Sequence, residues 1–160
     1  LAVISNSMFD TDATGFGIIM GGYSAGALLG SLWISYFSEM GRPSRLMVFG
    51  CIFWHVAIFS IAFSTYFYIS VSIVLLAGIF QSFSMVIMAM LILKYTSEDM
   101  RSRVLGVRQL AVYGLPLGLV ISGFVSENFH VVAALIGNAV VGLILLAFVL
   151  ITWPRPLLHN

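Results

Sequence analysis

Five long apolar stretches dominate the sequence, and each is long enough to cross a lipid bilayer as a helix, which takes about 20 residues. Charged residues make up 8% of the 160 residues and hydrophobic residues 61%, so the chain cannot cover a soluble globule with polar side chains. The stretches are continuously apolar rather than alternating, which favours helices over barrel strands. We predict an all-α, polytopic transmembrane helical bundle. Its spans are expected at about 17–37, 46–64, 70–93, 107–126 and 131–153.

Composition also excludes several function classes. The net charge is only +1, so we expect no nucleic-acid partner. Cys51 is the single cysteine, which rules out an internal disulfide and a multi-cysteine metal site. The sequence has no HExxH motif and no phosphate-cradling glycine loop, and we expect neither a metal nor a cofactor. The chain begins at Leu1, and residues 1–9 resemble the last turns of a preceding helix. We therefore expect it to be part of a longer protein.

Positive charge falls on one side of the predicted bundle. With five spans, the seven Lys and Arg residues all lie on the same side, and the opposite segments 10–16, 65–69 and 127–130 contain none. The positive-inside rule then makes 38–45, 94–106 and the C-terminus cytoplasmic. This pattern predicts a multi-pass protein of the plasma (cytoplasmic) membrane whose C-terminus is cytoplasmic.

The segment KYTSEDMRSRVLGVRQ, 94–109, is unusually rich in charge. The chain has seven basic and six acidic residues, and six of these thirteen lie here. Thr96 and Asp99 have the spacing of a capping box, which predicts a helix start at this point. Membrane topology alone could explain the charges, and a functional role is the alternative.

Two of the predicted spans carry small residues at every fourth position. Such a face lets two helix backbones approach closely. The packing could be internal to this chain, but we expect at least one partner outside it. Pro116, inside the fourth span, predicts a kink or the loss of one backbone hydrogen bond. The small residues are Gly22, Gly26 and Gly30 in the first span, and Gly114, Gly118 and Ser122 in the fourth.

Polar residues inside the predicted spans are few, and such residues usually face protein or a water-filled cavity. One face of the third span could line a cavity for an amphipathic or apolar solute, since methionine adapts to varied shapes. Ordinary helix packing is the alternative. We interpret His55 and Asn138 as packing residues. The cavity candidates are Gln81, Ser84, Met85 and Met88.

The stretch GYSAG, 22–26, matches the G-x-S-x-G motif of serine hydrolases. That motif acts on a turn between a strand and a helix, with an acid and a histidine behind the serine. Here it lies within an apolar span, so we predict that the protein is not an enzyme. A serine hydrolase that uses Ser24 with His55 is a remote alternative.

Two segments resemble motifs of the major facilitator superfamily of transporters. SEMGRPSRL, 38–46, is similar to the family's loop motif at Gly41, Arg42 and Leu46, and departs from it at Ser38, Glu39 and Pro43. EDMRSRVLGVRQLAVYGLPLGLVISGFV, 98–125, is similar to a pattern of bacterial drug and siderophore exporters of that family. The matching residues are Arg101, Arg103, Val104, Pro116, Gly118 and Gly123.

The resemblance implies the C-terminal six-helix half of a twelve-helix transporter that works by alternating access. The chain would hold five complete spans and the end of a sixth, and the N-terminal half would be absent. The small-residue stripes would then pack on that missing half, and the third span would line the central cavity. The resemblance also implies a cytoplasmic gate. The gate candidates are Glu39, Arg42, Arg45, Arg101, Arg103 and Arg108.

The expected function is secondary active transport of a small molecule. The expected substrate is an amphipathic compound, and the expected direction is export. The expected partners are the lipid bilayer, the small-molecule substrate and the missing half of the transporter. A non-transporting membrane scaffold or assembly subunit is the alternative.

Overall fold

The computed structural model describes residues 13–36, 41–112 and 114–153. Residues 1–9, expected to end a preceding helix, lie outside this part of the chain. The described residues form α-helices and one 3-10 helix, and no strand occurs among them. The helices are α1 (Ala13–Tyr36), α2 (Pro43–Ile61), α3 (Phe67–Tyr95), the 3-10 helix Glu98–Met100, α4 (Arg101–Val112), α5 (Leu115–Phe129) and α6 (Val131–Thr152).

Four helices in the described part of the chain are long and apolar enough to cross a membrane, namely α1, α2, α3 and α6. They overlap four of the five predicted spans. Large apolar side chains such as Leu28, Leu32 and Ile151 are exposed on their outer faces. Exposed apolar surface on this scale is typical of contact with lipid or with another protein.

Within the predicted span 107–126, the structure describes two helices, with α4 ending at Val112 and α5 beginning at Leu115. Pro116 lies in the first turn of α5, where its missing N–H costs no helical hydrogen bond. The sequence predicted a kink or a lost hydrogen bond at Pro116; in the structure, Pro116 instead lies at the start of a separate helix. At 15 residues, α5 is about 22 Å long, which is shorter than the hydrocarbon core of about 30 Å.

The capping box predicted at Thr96 and Asp99 is wrong. Thr96 ends α3 with extended backbone, and Ser97 precedes the 3-10 helix without a side-chain cap. Helix α3 continues to Tyr95, so Thr96 forms its C-terminal boundary, and the next helical segment begins only after Ser97. The α-helix that follows starts at Arg101.

Helix α3 lies at the centre of the bundle, between α1 and α2. It runs parallel to α1, since Gly22 faces Val71 and Gly30 faces Ile79. It runs antiparallel to α2, and α6 in turn packs on α2 and α5 on α6. A buried cluster at one end joins α1, α2 and α3 through Ile19, Ile61 and Val74. The C-terminal ends of α1 and α3 therefore lie at the same end of the bundle as the start of α2.

The crossing of α1 and α3 brings two backbones into close contact. A Cβ atom at Gly30 would lie 2.7 Å from the carbonyl oxygen of Ile79, and one at Gly26 would overlap the carbonyl oxygen of Leu75. The close contact of the two backbones requires glycine on both helices. Gly78 of α3 lies directly against the backbone of α1, so a Cβ atom at Gly78 would also overlap backbone atoms.

This packing corrects the expectation for the first small-residue stripe, Gly22, Gly26 and Gly30. These glycines face α3 of the same chain, and Ser82 of α3 donates a 2.7 Å hydrogen bond to the carbonyl oxygen of Ala27. A repeat of small residues predicts a close approach but does not identify the helix that approaches.

The second stripe is different. A Cβ atom at Gly118 would meet nothing within 4 Å. Gly114 immediately precedes α5 with helical backbone angles. Ser122 of the same stripe is hydrogen-bonded to Asn138 of α6, so packing on a partner outside the chain stays a prediction for Gly114 and Gly118.

Candidate functional site

A cavity of about 530 Å³ lies between α1, α2, α3, α5 and α6. Its walls are mainly apolar, with aromatic and polar side chains at several points. The described residues that line it are Tyr23, Trp54, His55, Ile58, Ile61, Val74, Ala77, Gly118, Leu119, Ser122, Leu135 and Asn138.

The imidazole of His55 is held in one orientation at the cavity wall. Its Nδ1 atom lies 2.8 Å from the carbonyl oxygen of Cys51, one helical turn earlier. The ring of Trp54 meets it edge-on, with ring centroids 4.9 Å apart. On the side of α6, the imidazole occupies the space that a Cβ atom at Gly142 would need. A glycine at this position therefore makes room for the histidine.

Ser122 of α5 and Asn138 of α6 form a second polar group in the cavity. The Asn138 amide nitrogen donates to Ser122 Oγ at 2.8 Å, and Ser122 Oγ lies 3.3 Å from Asn138 Oδ1. An asparagine amide has two donor hydrogens and two acceptor lone pairs. The pair therefore keeps hydrogen-bonding capacity for a solute.

The chemistry of the cavity suits a solute with an apolar body and a few polar atoms. None of the described lining residues is Asp, Glu, Lys or Arg. Sites for small molecules are usually concave, mostly apolar and equipped with a few convergent polar groups. The volume lies within the range of about 300–1,000 Å³ that is common for such sites.

Comparison with known proteins gives the family of this chain. A family model described as Major Facilitator Superfamily matches residues 1–160. The chain belongs to the Major Facilitator Superfamily. No curated protein and no solved structure matches it. The predicted family is thus confirmed, and the protein is a membrane transporter. The resemblance to drug and siderophore exporters stays a prediction.

In this superfamily member, the four cavity residues predicted from the sequence lie on α3 but are not among the described residues that line the cavity. Gln81, Ser84, Met85 and Met88 are all half-buried. At helical spacing they continue the face of Val74 and Ala77, which do line the cavity. Ser84 also reaches the crossing with α2, since its backbone nitrogen lies 3.1 Å from the Cβ position of Gly50.

The predicted gate residues are distributed over two segments at the same end of the bundle. Arg42 immediately precedes α2, and Arg45 lies in its first turn, while Arg101, Arg103 and Arg108 lie on α4. Glu39 lies outside the described residues.

Two of the arginines on α4 are only partly paired with the residues that the structure describes. Arg101 forms an ion pair with Glu98 at 3.6 Å, three residues before it, and an exposed pair of this kind contributes about 0–1 kcal/mol. The Nε atoms of Arg101 and Arg108 are buried and have no hydrogen-bond partner among the described residues. Their spacing of seven residues puts both arginines on one face of α4.

Sequence reasoning underestimated His55 and Asn138, which it interpreted as packing residues. Each does pack against a neighbouring helix, but each also lines the cavity. The useful signal was the rarity of polar side chains at membrane depth. Ser24, the serine of the hydrolase-like motif, is exposed within α1 and lacks the strand-to-helix turn that the motif requires.

Proposed function

We propose that this superfamily member is a secondary active transporter that exports a small amphipathic solute across the cytoplasmic membrane by alternating access. The observation that carries the proposal is the cavity inside the helical bundle, with apolar walls and polar groups from α2, α5 and α6. Apolar walls hold the body of an amphipathic solute, and the polar groups orient it. Alternating access would expose this site to the two sides of the membrane in turn.

The proposed solute path continues from the cavity along α3. Val74 and Ala77 form part of the cavity wall, and Gln81 follows one helical turn later on the same face. Met85 and Met88 extend this face toward the arginine-bearing end of the bundle. Methionine side chains adapt to solutes of different shape, which supports a role for these residues along the path.

The arginines of α2 and α4 are proposed to close the cytoplasmic end when the site faces outward. Their place at one end of the bundle supports this role, as do the buried Nε atoms of Arg101 and Arg108, which have no hydrogen-bond partner among the described residues. Buried donors usually have a hydrogen-bond acceptor. Carboxylates of an N-terminal half, or Glu39, would supply acceptors in the closed state.

The orientation in the membrane is part of the same proposal. We place the end that carries Arg42 and Arg101, together with the end of α6, in the cytoplasm. The absence of Lys and Arg from 65–69 and 127–130 supports this choice, because positive residues concentrate on the cytoplasmic side.

The test is transport by the purified full-length protein in liposomes. The liposomes are loaded with a panel of neutral and cationic amphipathic dyes, and a proton or sodium gradient is imposed. We expect at least one dye to cross faster than in protein-free liposomes, and only with a gradient. An Asn138→Leu variant should lower that rate roughly 5- to 10-fold, since it removes the hydrogen bonds to Ser122 and a polar group of the cavity.

The matched control is Ser72→Ala. Ser72 is exposed on α3 and bonds only to the carbonyl oxygen of Tyr68 among the described contacts, so this variant should transport at the wild-type rate. If wild-type protein moves no dye faster than empty liposomes under either gradient, the proposed export of amphipathic solutes is refuted.

A further inference from the structure

We infer that the cavity binds its solute through a carbonyl oxygen, and that an N–H of Asn138 donates the hydrogen bond to this oxygen. The inference rests on the proposed function, because it treats the cavity as the solute site. It adds the chemical class of the solute, an amphipathic ketone, ester or amide, and it names Asn138 as the residue that selects this class.

The amide of Asn138 has a hydrogen-bond donor to spare. Its nitrogen carries two hydrogens, and Ser122 Oγ, 2.8 Å away, is the acceptor that this nitrogen contacts among the described residues. One oxygen at this distance accepts one of the two hydrogens. The second hydrogen therefore has no partner in the part of the chain that the structure describes.

Asn138 is accessible from the cavity. It is one of the lining residues and is exposed, whereas Ala134 and Ala139 on the same helix are buried. Polar side chains at membrane depth usually face protein or a water-filled cavity. The spare N–H therefore lies on a mainly apolar wall that a solute can reach.

Ser122 holds this amide in position. Its Oγ atom lies 2.8 Å from Nδ2 and 3.3 Å from Oδ1 of Asn138, so it contacts the amide edge that carries both atoms. The two hydrogens of a planar amide nitrogen diverge, and the second one points away from that edge. Because the contact restricts the side chain before a solute binds, little further freedom is lost on binding. Ser122 is therefore a positioning residue.

A second donor lies on another wall of the cavity. The indole N–H of Trp54 bonds to the side chain of Tyr23, and an indole nitrogen can only donate. The hydroxyl oxygen of Tyr23 is then the acceptor, and its own hydrogen remains available. Both residues line the cavity. A solute that carries acceptor atoms therefore suits this cavity better than one whose polar atoms only donate.

A carbonyl oxygen suits the site better than a carboxylate. No Lys or Arg occurs among the described residues that line the cavity, so a carboxylate would lose its hydration without gaining a counter-charge. An uncharged carbonyl loses less hydration, and one good hydrogen bond offsets the loss. Apolar lining residues such as Ile58 and Leu135 can hold the rest of the solute.

The test compares two naphthalene probes of similar shape on the purified full-length protein in detergent. 2-Acetylnaphthalene carries a carbonyl acceptor, and 2-isopropylnaphthalene has a methyl group in place of the oxygen. Binding is measured by scintillation proximity with tritiated probes. Asn138→Leu should weaken binding of the ketone roughly 2- to 10-fold, the value of one net hydrogen bond. It should not weaken binding of the hydrocarbon.

The matched control is the same substitution on α5, Asn128→Leu. The amide of Asn128 donates to the carbonyl oxygen of Phe124, and Asn128 does not belong to the described cavity lining. This variant should bind both probes with wild-type affinity.

Infrared spectroscopy detects the hydrogen bond itself. The ketone is labelled with 13C at its carbonyl, and displacement by unlabelled ketone isolates the spectrum of the bound probe. We expect a lower carbonyl stretching frequency in the wild-type complex than in hexane, and the hexane value in Asn138→Leu. Ser122→Ala should move the frequency part of the way, and Ser122→Thr, which keeps the hydroxyl, should restore it. A merely structural role of the pair would not change this frequency.

Several outcomes would overturn the inference. A bound ketone with the hexane frequency in wild-type protein refutes the donor, and this measurement needs no variant that could fail to fold. A lowered frequency that persists in Asn138→Leu assigns the donor to another residue. Equal losses of affinity for both probes in that variant would show that Asn138 only maintains the packing of α5 on α6.

The inference and the proposed function can fail separately. If neither probe binds while dye transport in liposomes persists, the inference fails and the proposed transport stands. If the ketone binds with a lowered frequency that depends on Asn138 but no dye is transported, the binding site stands and the proposed export fails.

Discussion

Replacement of Gly26 by alanine tests the close crossing of α1 and α3. The new methyl group would overlap the carbonyl oxygen of Leu75, which belongs to the backbone of α3. A flexible side chain could move aside, but a helix carbonyl can move only with its helix. The two helices would therefore have to separate along the contact that fixes the centre of the bundle.

The size of the effect follows from two opposing terms. Overpacking of a well-packed interior typically costs 1–3 kcal/mol, and we take about 3 kcal/mol because the clash is with backbone. Alanine is about 1 kcal/mol more favourable than glycine inside a helix. Gly26→Ala should therefore lower the free energy of unfolding by about 2 kcal/mol.

The matched control lies on the same helix. A Cβ atom at Gly21 would meet nothing within 4 Å, so Gly21→Ala should gain only the helix term of up to about 1 kcal/mol. Gly22 is intermediate, since its Cβ position is 3.4 Å from a side-chain carbon of Val71, which is an ordinary contact. The expected order of destabilisation is Gly26 first, then Gly30, with Gly22 and Gly21 close to wild type.

The assay is SDS-induced unfolding of the purified protein in mild detergent, followed by tryptophan fluorescence. The transition of Gly26→Ala should shift to a lower SDS fraction than that of Gly21→Ala, with a difference in stability of about 3 kcal/mol between the two variants. Coincident transitions would refute the close approach of the two backbones.

Two further predictions concern the cavity and the gate. Gly142→Ala should displace the imidazole of His55 and lower the free energy of unfolding by about 1–3 kcal/mol, whereas Gly137→Ala, which faces open space on the same helix, should not; equal stabilities in the SDS assay would contradict the placement of the ring. Charge reversal of Arg101 and Arg103 together should slow dye transport while expression remains normal. Unchanged transport in that double variant would remove these arginines from the gate.

Much of the helical architecture could be predicted from the lengths of the apolar stretches. Four of them coincide with α1, α2, α3 and α6, because an apolar run of about 20 residues has few alternatives to a spanning helix. The fifth stretch, 107–126, corresponds to two described helices instead of one. The length of an apolar stretch does not show where a helix ends and another begins. Pro116 indicated a disturbance, but a proline is compatible with both a kinked helix and a new helix start.

The cavity could be predicted only in part. One face of α3 was predicted from its periodicity, but the α3 residues that line the cavity are Val74 and Ala77, and the four candidates named from the sequence are not among the described lining residues. His55 and Asn138 lie far apart in the sequence, and only the packing of α2 against α6 brings them together. Local patterns carry no information about that packing, so each residue on its own resembled an ordinary packing group.

The walls of the cavity differ in how tightly their residues pack against the rest of the bundle. This difference determines which residues can be substituted to change solute binding without a loss of stability. Val74 and Ala77 of α3 are each only 2% exposed because they also belong to the contacts around the central helix. Leu119 of α5 is 68% exposed, and its helix is packed mainly on α6. A substitution on the α3 wall should therefore change stability and binding together. A substitution of Leu119 should change solute binding without changing the free energy of unfolding. Substitutions at Leu119 are therefore better suited to measure which solutes the cavity prefers.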